Sequence, residues 1–154
     1  ISPEDTTASL YFKKLYPLGV EAMLEAVSQV DTGTARFTPQ AETGASFQGL
    51  VDEDVAAIDW QRPAAEIDRL IRGCDPAPGA HTHLDGECLR LFASGVVDEP
   101  CNEAPGTVLG IEGGRLRIAA VDGQIAVGKL RLGEGKKLAA PEVPIPAGSR
   151  WGRS

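Results

Sequence analysis

The sequence predicts a mainly β fold with helices, namely a small antiparallel barrel preceded by a long helix and an extended linker. Eighteen glycines and eleven prolines among 154 residues indicate many turns and short strands. Helical apolar spacing is confined to two stretches, near residues 4–30 and 58–80. Between residues 80 and 132, short strand-like runs alternate with Asp-Gly and Gly-Gly turns, which is typical of hairpins.

The first helix is predicted over residues 4–30, with Asp5 or Thr6 as its cap. Its apolar stripe consists of Leu15, Val20, Met23, Leu24 and Val27. Pro17 and Gly19 are expected to kink or divide the helix. The stripe indicates burial against a partner layer. A membrane-surface helix is the alternative, which we disfavour because the polar face is not markedly basic.

Residues 31–57 are predicted to be a linker, because glycine, threonine, proline and small polar residues dominate and no apolar period is visible in most of the segment. Phe37 and Phe47 suggest that this linker is partly held against a surface. A short helix follows, with Pro63 in its first turn and Gly73 at its end.

The barrel is predicted over residues 58–140, with five or six strands. A first hairpin turns at Asp85-Gly86 and a second at Gly113-Gly114, between the runs Thr107–Glu112 and Leu116–Val121. Asp122-Gly123 then leads into the run Ile125–Leu132. Residues 141–154 are rich in glycine and proline and are expected to form a flexible tail.

The net charge of −7 and the pI near 4.8 disfavour a large nucleic-acid footprint. No apolar run approaches the roughly 20 residues that a bilayer-spanning helix needs, so no membrane association is expected. Three unevenly spaced cysteines and the absence of a signal-peptide pattern at Ile1 favour a cytoplasmic location.

Several polar groups are candidates for chemistry, and each has a structural alternative. His81 and His83 share a strand face, and Asp85 or Cys88 could complete a metal site. We favour two ordinary strand residues, because no recognised zinc spacing is present. The run 52–54 (Asp-Glu-Asp) is read as an exposed charged segment rather than an acid pair or metal cluster.

The three cysteines and the glycine-rich run are also given structural readings. Cys74, Cys88 and Cys101 lack the electropositive setting of a nucleophile and are expected to be inert thiols. Gly110 to Gly114 superficially resembles a phosphate loop, but no helix or Walker lysine follows it. A hairpin turn is therefore expected there.

The basic residues of the barrel region could line one groove that binds single-stranded or stem RNA. They are Arg69, Arg72, Arg90, Arg115, Arg117, Lys129, Arg131, Lys136 and Lys137. We favour ordinary solvated strand faces, because acidic residues are scattered among them and exposed stacking aromatics are lacking.

Short motifs, which we divide into two sets, follow one another in a recognisable order. The first set is Ile58, Trp60, Pro63-Ala64, Ile71-Arg72 and Pro76–Ala80. The second set is Pro3–Thr6, Pro39-Gln40, Gly44–Gly49, Ala104–Val108 and Asp122-Gly123. Together they resemble the C-terminal part of the formyltransferases that use 10-formyltetrahydrofolate, and the first set resembles the opening motif of that family's C-terminal domain. The family includes methionyl-tRNA formyltransferase, sugar-nucleotide formyltransferases and the hydrolase domain of 10-formyltetrahydrofolate dehydrogenase. The resemblance extends over roughly residues 1–140.

The resemblance implies an OB-like barrel over residues 58–140 and makes residues 1–30 the last helix of a preceding Rossmann-like catalytic domain. That domain would hold the family's catalytic Asn, His and Asp, so no residue here is assigned as catalytic, cofactor-binding or metal-binding. The parent enzyme would transfer the formyl group of its cosubstrate, 10-formyltetrahydrofolate, to an amine or to water, and this chain alone is expected to be inactive. It would shape the substrate cleft and orient the acceptor.

The partners implied are the catalytic domain and, through the first helix, a second copy of the chain. Gly44–Gly49 and the acidic balance favour a hydrolase-like parent. The alternatives are an RNA-docking barrel like that of methionyl-tRNA formyltransferase, which the acidic charge disfavours, and a stand-alone interaction domain.

Overall fold

A computed structural model describes residues 1–152 and divides the chain into two compact units, Ile1–Leu50 and a second unit that begins at Val51. The first unit holds helix α1 (Thr7–Leu10), a π-helical turn (Tyr11–Leu15) and helix α2 (Tyr16–Asp31). Among residues 32–50 the structure has turns but no helix or strand. The last part of the linker predicted over residues 31–57 is wrong, because Glu53–Ala56 is helical and belongs to the second unit.

Thr6 caps the first helix, as predicted. Its hydroxyl accepts a hydrogen bond from the Ser9 backbone N–H at 3.2 Å, and the Ser9 hydroxyl accepts one from the Thr6 N–H at 2.9 Å. Asp5 has a different role, because its carboxylate accepts hydrogen bonds from Lys14 Nζ and the Ser2 N–H. The Lys14 ammonium holds the pKa of Asp5 well below its usual range.

Pro17 does not interrupt the helix at Gly19. It lies in the first turn of α2, where a missing backbone N–H is tolerated, and the irregular π-helical turn immediately precedes it. The helix then continues without a break to Asp31. The irregularity that the sequence predicts is therefore present, but it lies on the N-terminal side of the proline.

The second unit contains helices α3 (Glu53–Ala56) and α4 (Ala64–Gly73), and its described residues form six strands. The strands are β1 (Ala80–Leu84), β2 (Glu87–Val97), β3 (Val108–Glu112), β4 (Arg115–Ala119), β5 (Gln124–Leu132) and β6 (Leu138–Ala139). All pairings between them are antiparallel. The predicted hairpins at Asp85-Gly86 and Gly113-Gly114 are confirmed.

The sheet has the order β1-β2-β5-β4-β3. Strand β5 pairs with β2 along one side, while its other side pairs first with β4 and then with β6. Helix α4 begins beside the turn before β5, where the Asp122 carboxylate accepts a hydrogen bond from the Ala64 backbone N–H at 2.7 Å. A side chain 58 residues later in the sequence thus satisfies the first backbone N–H of α4.

Residues 148–152, which we call the C-terminal strap, join the two outer edges of this sheet. Antiparallel bridges connect Arg150 to Thr107, just before β3, and Gly152 to His83 on β1. The strap thereby covers part of both outer edges of an open sheet and makes the unit barrel-like.

The flexible tail predicted for residues 141–154 is wrong for residues 141–152. Val143 is buried, Trp151 is 2 % exposed, and the strap pairs with two strand edges. Glycine and proline suggested disorder, but here they allow an extended path across the barrel mouth. The last two residues of that prediction, 153 and 154, lie outside the described part of the chain.

The core lies inside the barrel and beneath α4. Its largest fully buried side chains include Ile58, Ile67, Ile71, Leu91, Leu116, Ile118, Ile125 and Leu130. Trp60 packs edge-on against Trp151 with ring centroids 5.9 Å apart, and its indole N–H donates to the Thr82 hydroxyl at 3.0 Å. Within residues 1–152, no helix combines the length and apolar character needed to cross a bilayer.

Candidate functional site

Four of the nine basic residues of the barrel region are paired with carboxylates, and the nine do not line one shared groove. Four ion pairs carry this neutralisation: Arg72–Asp68 at 2.8 Å, Arg90–Glu53 at 2.9 Å, Arg117–Glu112 at 2.9 Å and Lys137–Asp75 at 3.2 Å. The pairs Arg90–Glu53 and Lys137–Asp75 join residues that are far apart in sequence, so these two pairings could not be inferred from local patterns.

Two of the arginines, Arg115 and Arg117 of β4, line a shared open groove of about 400 Å³, which we call the arginine groove. Its other walls are Gly95, Val96, Val97, Glu112, Gly113 and Ala126. Arg115 is held in place because its Nη2 donates to the carbonyl of Ala126 at 3.1 Å and to that of Ala93. Glu112 offsets one of the two charges, so the groove has a net charge of about +1 at neutral pH.

Arg131 and Lys137 lie over the ring of Phe92 instead, with Arg131 Cζ 5.8 Å and Lys137 Nζ 3.5 Å from its centroid. Arg131 also donates to the carbonyl of Pro78 at 3.3 Å. These cation–π contacts cover a buried aromatic ring and hold the turn after α4 against the sheet. The two side chains therefore serve the fold rather than the arginine groove.

His81 and His83 do share a face of β1, and their rings meet edge-on with centroids 5.7 Å apart. Both histidines line a cleft of about 170 Å³, which we call the histidine cleft. Its other lining residues are Glu53, Asp54, Ala57, Ile58, Thr82 and Gly152. His81 is buried, with Nδ1 3.4 Å from a Glu53 carboxylate oxygen. The described residues contain no group of three His, Cys, Asp or Glu side chains placed to hold a metal ion.

Residues 52–54 are more structured than the exposed run that the sequence suggests. Asp52 caps α3 by accepting a hydrogen bond from the Val55 N–H at 2.9 Å. Glu53 binds Arg90 through both carboxylate oxygens, at 2.9 and 3.0 Å. The hydrogen bond from Arg90 lowers the pKa of Glu53 below its ordinary value of 4.5. Sequence reasoning missed this pair because its members are 37 residues apart.

The three cysteines are free thiols, and Gly113 and Gly114 of the glycine-rich run form a turn. Cys74 is buried at the end of α4, and burial raises the pKa of its thiol, which disfavours the thiolate. Cys88 and Cys101 are free and half-buried. Gly113 and Gly114 form the turn between β3 and β4, where each has a positive φ that favours glycine.

A large apolar surface lies on the first unit. Side chains of the π-helical turn and α2 form a groove of about 520 Å³, which we call the helix groove. It is lined by Tyr11, Leu15, Tyr16, Gly19, Val20, Met23 and Leu24. Leu15 is 60 %, Met23 65 % and Leu24 67 % exposed. An exposed apolar face of this kind marks an interaction surface.

Comparison with known protein families decides the relationship. The family model for the formyl transferase C-terminal domain matches residues 51–143. The chain belongs to the formyltransferase family. This confirms the resemblance carried by the motifs between Ile58 and Ala80. The matched region contains the arginine groove, the six described strands and every residue of the histidine cleft except Gly152.

Curated relatives extend the similarity over almost the whole chain. A methionyl-tRNA formyltransferase of Burkholderia pseudomallei is 35% identical over 156 aligned residues, which include 98% of this chain and 47% of the relative. The methionyl-tRNA formyltransferase of Agathobacter rectalis is 33% identical, over 89% of this chain and 44% of the relative. The chain thus spans slightly less than half the length of the curated relatives it matches.

Solved structures support the same fold. A variant of HypX from Aquifex aeolicus superposes with a TM-score of 0.72 and 25% identity, over 90% of this chain and 26% of HypX. HypX in complex with tetrahydrofolic acid superposes with a TM-score of 0.71 over 90% of this chain and 25% of HypX, at 24% identity. The matched portion is one part of a much longer protein.

Proposed function

We propose that this chain is the non-catalytic C-terminal part of an enzyme that transfers or hydrolyses the formyl group of 10-formyltetrahydrofolate. In this proposal residues 1–30 are the last helix of a preceding Rossmann-like domain, and the linker is shortened to residues 32–50, because the second unit begins at Val51. The barrel shapes the substrate cleft and orients the acceptor. The strap extends the barrel beyond residue 140 to Gly152. The folate cosubstrate would bind outside this chain.

The helix groove is the observation that supports this proposal most directly. Ten large apolar side chains between Tyr11 and Val30 are exposed. They are Tyr11, Phe12, Leu15, Tyr16, Leu18, Val20, Met23, Leu24, Val27 and Val30. An amphipathic helix gains most of its stability from packing that face, so this helix is expected to pack against a further layer. The curated relatives are more than twice as long, and the additional length is sufficient for a catalytic domain.

The polar groups of the barrel fit an auxiliary role. Arg72, Arg90, Arg117 and Lys137 are paired with carboxylates, and the Cys74 thiol is buried. A general base or nucleophile needs a poised group that can reach a substrate. Among the described residues, the histidine cleft is the place where such a group could be sought, so His81 and His83 are the residues to mutate if the chain alone proves active.

Formyl release from 10-formyltetrahydrofolate tests the proposal. The chain alone and the same chain extended upstream through its reading frame are assayed side by side. We expect activity only in the extended protein, and its loss by about tenfold or more when Leu15→Glu and Leu24→Glu are introduced together, because two buried charges would oppose docking of the helix. Ser28→Glu, on the polar side of the same helix, serves as the matched control. Activity of the short chain would contradict the proposal.

A second candidate is an RNA-docking role for the barrel, and the reported relatives favour it, because both are methionyl-tRNA formyltransferases. The arginine groove provides the contact surface. In a binding assay with initiator tRNA, Arg115→Ala with Arg117→Ala should weaken binding and reduce its salt dependence by about one to two released ions. Arg62→Ala, on α4's N-terminal side, is the control. Binding that does not change with salt concentration, or the absence of binding, would favour water as the formyl acceptor instead.

A stand-alone interaction domain is the third reading. In that case the reading frame upstream of Ile1 would carry a stop codon or an unrelated sequence. Sequencing the genomic region decides this before any protein is prepared.

A further inference from the structure

We propose that the C-terminal strap opens and closes as a unit on an otherwise folded barrel. The open state would free the outer edge of β1 at His83 and that of β3 at Val108, and it would uncover the indole of Trp60. This inference concerns the second unit alone and does not depend on the formyltransferase assignment of the parent enzyme.

The strap is attached mainly through its backbone. On the β3 side, Gly148 N–H donates to the Val108 carbonyl at 2.8 Å, and Val108 N–H donates to the Ser149 carbonyl at 2.8 Å. Trp151 N–H donates to the Gly106 carbonyl at 2.9 Å. These bonds follow one short path along a strand edge, so they can be broken together without disturbing the pairing of β2 with β5.

On the β1 side the attachment is a reciprocal pair. His83 N–H donates to the Gly152 carbonyl at 3.1 Å, and Gly152 N–H donates to the His83 carbonyl at 3.2 Å. The Thr82 hydroxyl adds one more hydrogen bond to the Gly152 carbonyl at 3.2 Å. A single residue therefore holds the strap to β1.

The side chains of the strap contribute one anchor, Trp151. Ser149 and Arg150 are half-buried or exposed, while Trp151 is 2 % exposed and packs against Trp60. The close fit includes the backbone at Gly106, where an added Cβ would lie 2.5 Å from the Trp151 carbonyl oxygen. Removing one aromatic ring should therefore release the whole strap.

The two tryptophans differ in a way that weakens the closed state. The Trp60 indole N–H donates to Thr82, whereas the Trp151 Nε1 is buried and has no hydrogen-bond partner among the described residues. A buried N–H without a partner forfeits its hydrogen bond to water, and opening the strap restores that bond. Packing of the Trp151 ring therefore stabilises the closed state of the strap, whereas the Trp151 indole N–H destabilises it.

Hydrogen–deuterium exchange of the unmodified chain tests the proposal. The amides of His83, Val108, Gly148, Trp151 and Gly152 should exchange together, about 100-fold or more faster than the paired amides of β2 and β5. Exchange of all these amides at one common rate would overturn the proposal, because the strap would then open only when the barrel unfolds.

Two variants extend the test. Trp151→Ala should raise the exchange of the His83 and Val108 amides by about tenfold or more while leaving the β2–β5 amides within about twofold of their original rate. Arg150→Ala, on the exposed side of the strap, is the matched control and should change neither. A chain that ends at Pro146 should keep β2–β5 protection, and loss of that protection would overturn the proposal.

Discussion

The helix of the first unit and the barrel of the second unit carry similar apolar signals but use them differently. In the barrel, Leu91, Ile118 and Ile125 are fully buried in the core. In the helix, Leu15, Met23 and Leu24 remain largely exposed. Apolar periodicity therefore predicts which face of an element seeks burial, but it does not say whether the buried partner lies in the same chain.

This difference also separates self-sufficient from dependent structure. The barrel covers part of its own sheet edge through Gly152 and satisfies the first backbone N–H of its own helix α4 through Asp122. The helix has a good cap at Thr6, but the large side chains of its apolar face are exposed. We therefore expect stability to be concentrated in the barrel, and three measurements test the contrast.

The largest effect is expected from the same substitution made in the two regions. Leu91→Ala removes a fully buried side chain and leaves a cavity, so it should lower the free energy of unfolding by about 2–5 kcal/mol. Leu24→Ala removes a side chain that is mostly in water and should change it by less than about 0.5 kcal/mol. Urea unfolding followed by circular dichroism measures both. Equal effects would mean that the helix is buried in solution.

A second experiment asks what the exposed helix does at high protein concentration. We expect the chain to self-associate through the helix groove, since shielding apolar surface from water is favourable. Leu15→Glu with Leu24→Glu should weaken association by about tenfold, or about 1.4 kcal/mol, as measured by sedimentation equilibrium. Ser28→Glu should leave association unchanged. A monodisperse, monomeric parent chain with a well-solvated helix would count against this expectation.

The smallest effect concerns an ion pair on the surface of the barrel. Because Arg90 lowers the pKa of Glu53, the pair stabilises the fold above the ordinary Glu value of 4.5, and this contribution is lost as pH falls through the lowered value. Glu53 is mostly exposed, so the contribution should be only about 0.2–1 kcal/mol. Glu53→Gln should thus be less stable than the parent chain near pH 7, and the difference should vanish in acid. Thermal unfolding across pH measures it, with Asp54→Asn as the control.

Local signals in the sequence predicted much of the fold. The cap at Thr6, the helix that begins after Pro63 and the turns at Asp85-Gly86 and Gly113-Gly114 each depend on residues within a few positions of one another. Such preferences act before tertiary contacts form, so they can be predicted from the sequence alone.

Long-range pairing set the limit of sequence prediction. The strap was missed because Gly148 and Pro146 look the same in a disordered tail and in an extended crossing. The pairing of Arg90 with Glu53 was missed because it needs the register of β1 and β2. Prediction of the candidate site was limited in the same way. The nine basic residues left a shared groove as one alternative, and Arg115 and Arg117 are the two of them that line the arginine groove.

The neighbouring bridges on β1 have a consequence for how this barrel can be joined to other proteins. Ala57 and Gly152 bridge to His81 and His83, which are about 7 Å apart along one strand. The polypeptide therefore enters and leaves the barrel at nearly the same point. A domain with adjacent entry and exit can be appended to a longer chain, inserted within one, or circularly permuted by a short connection, without stretching its fold.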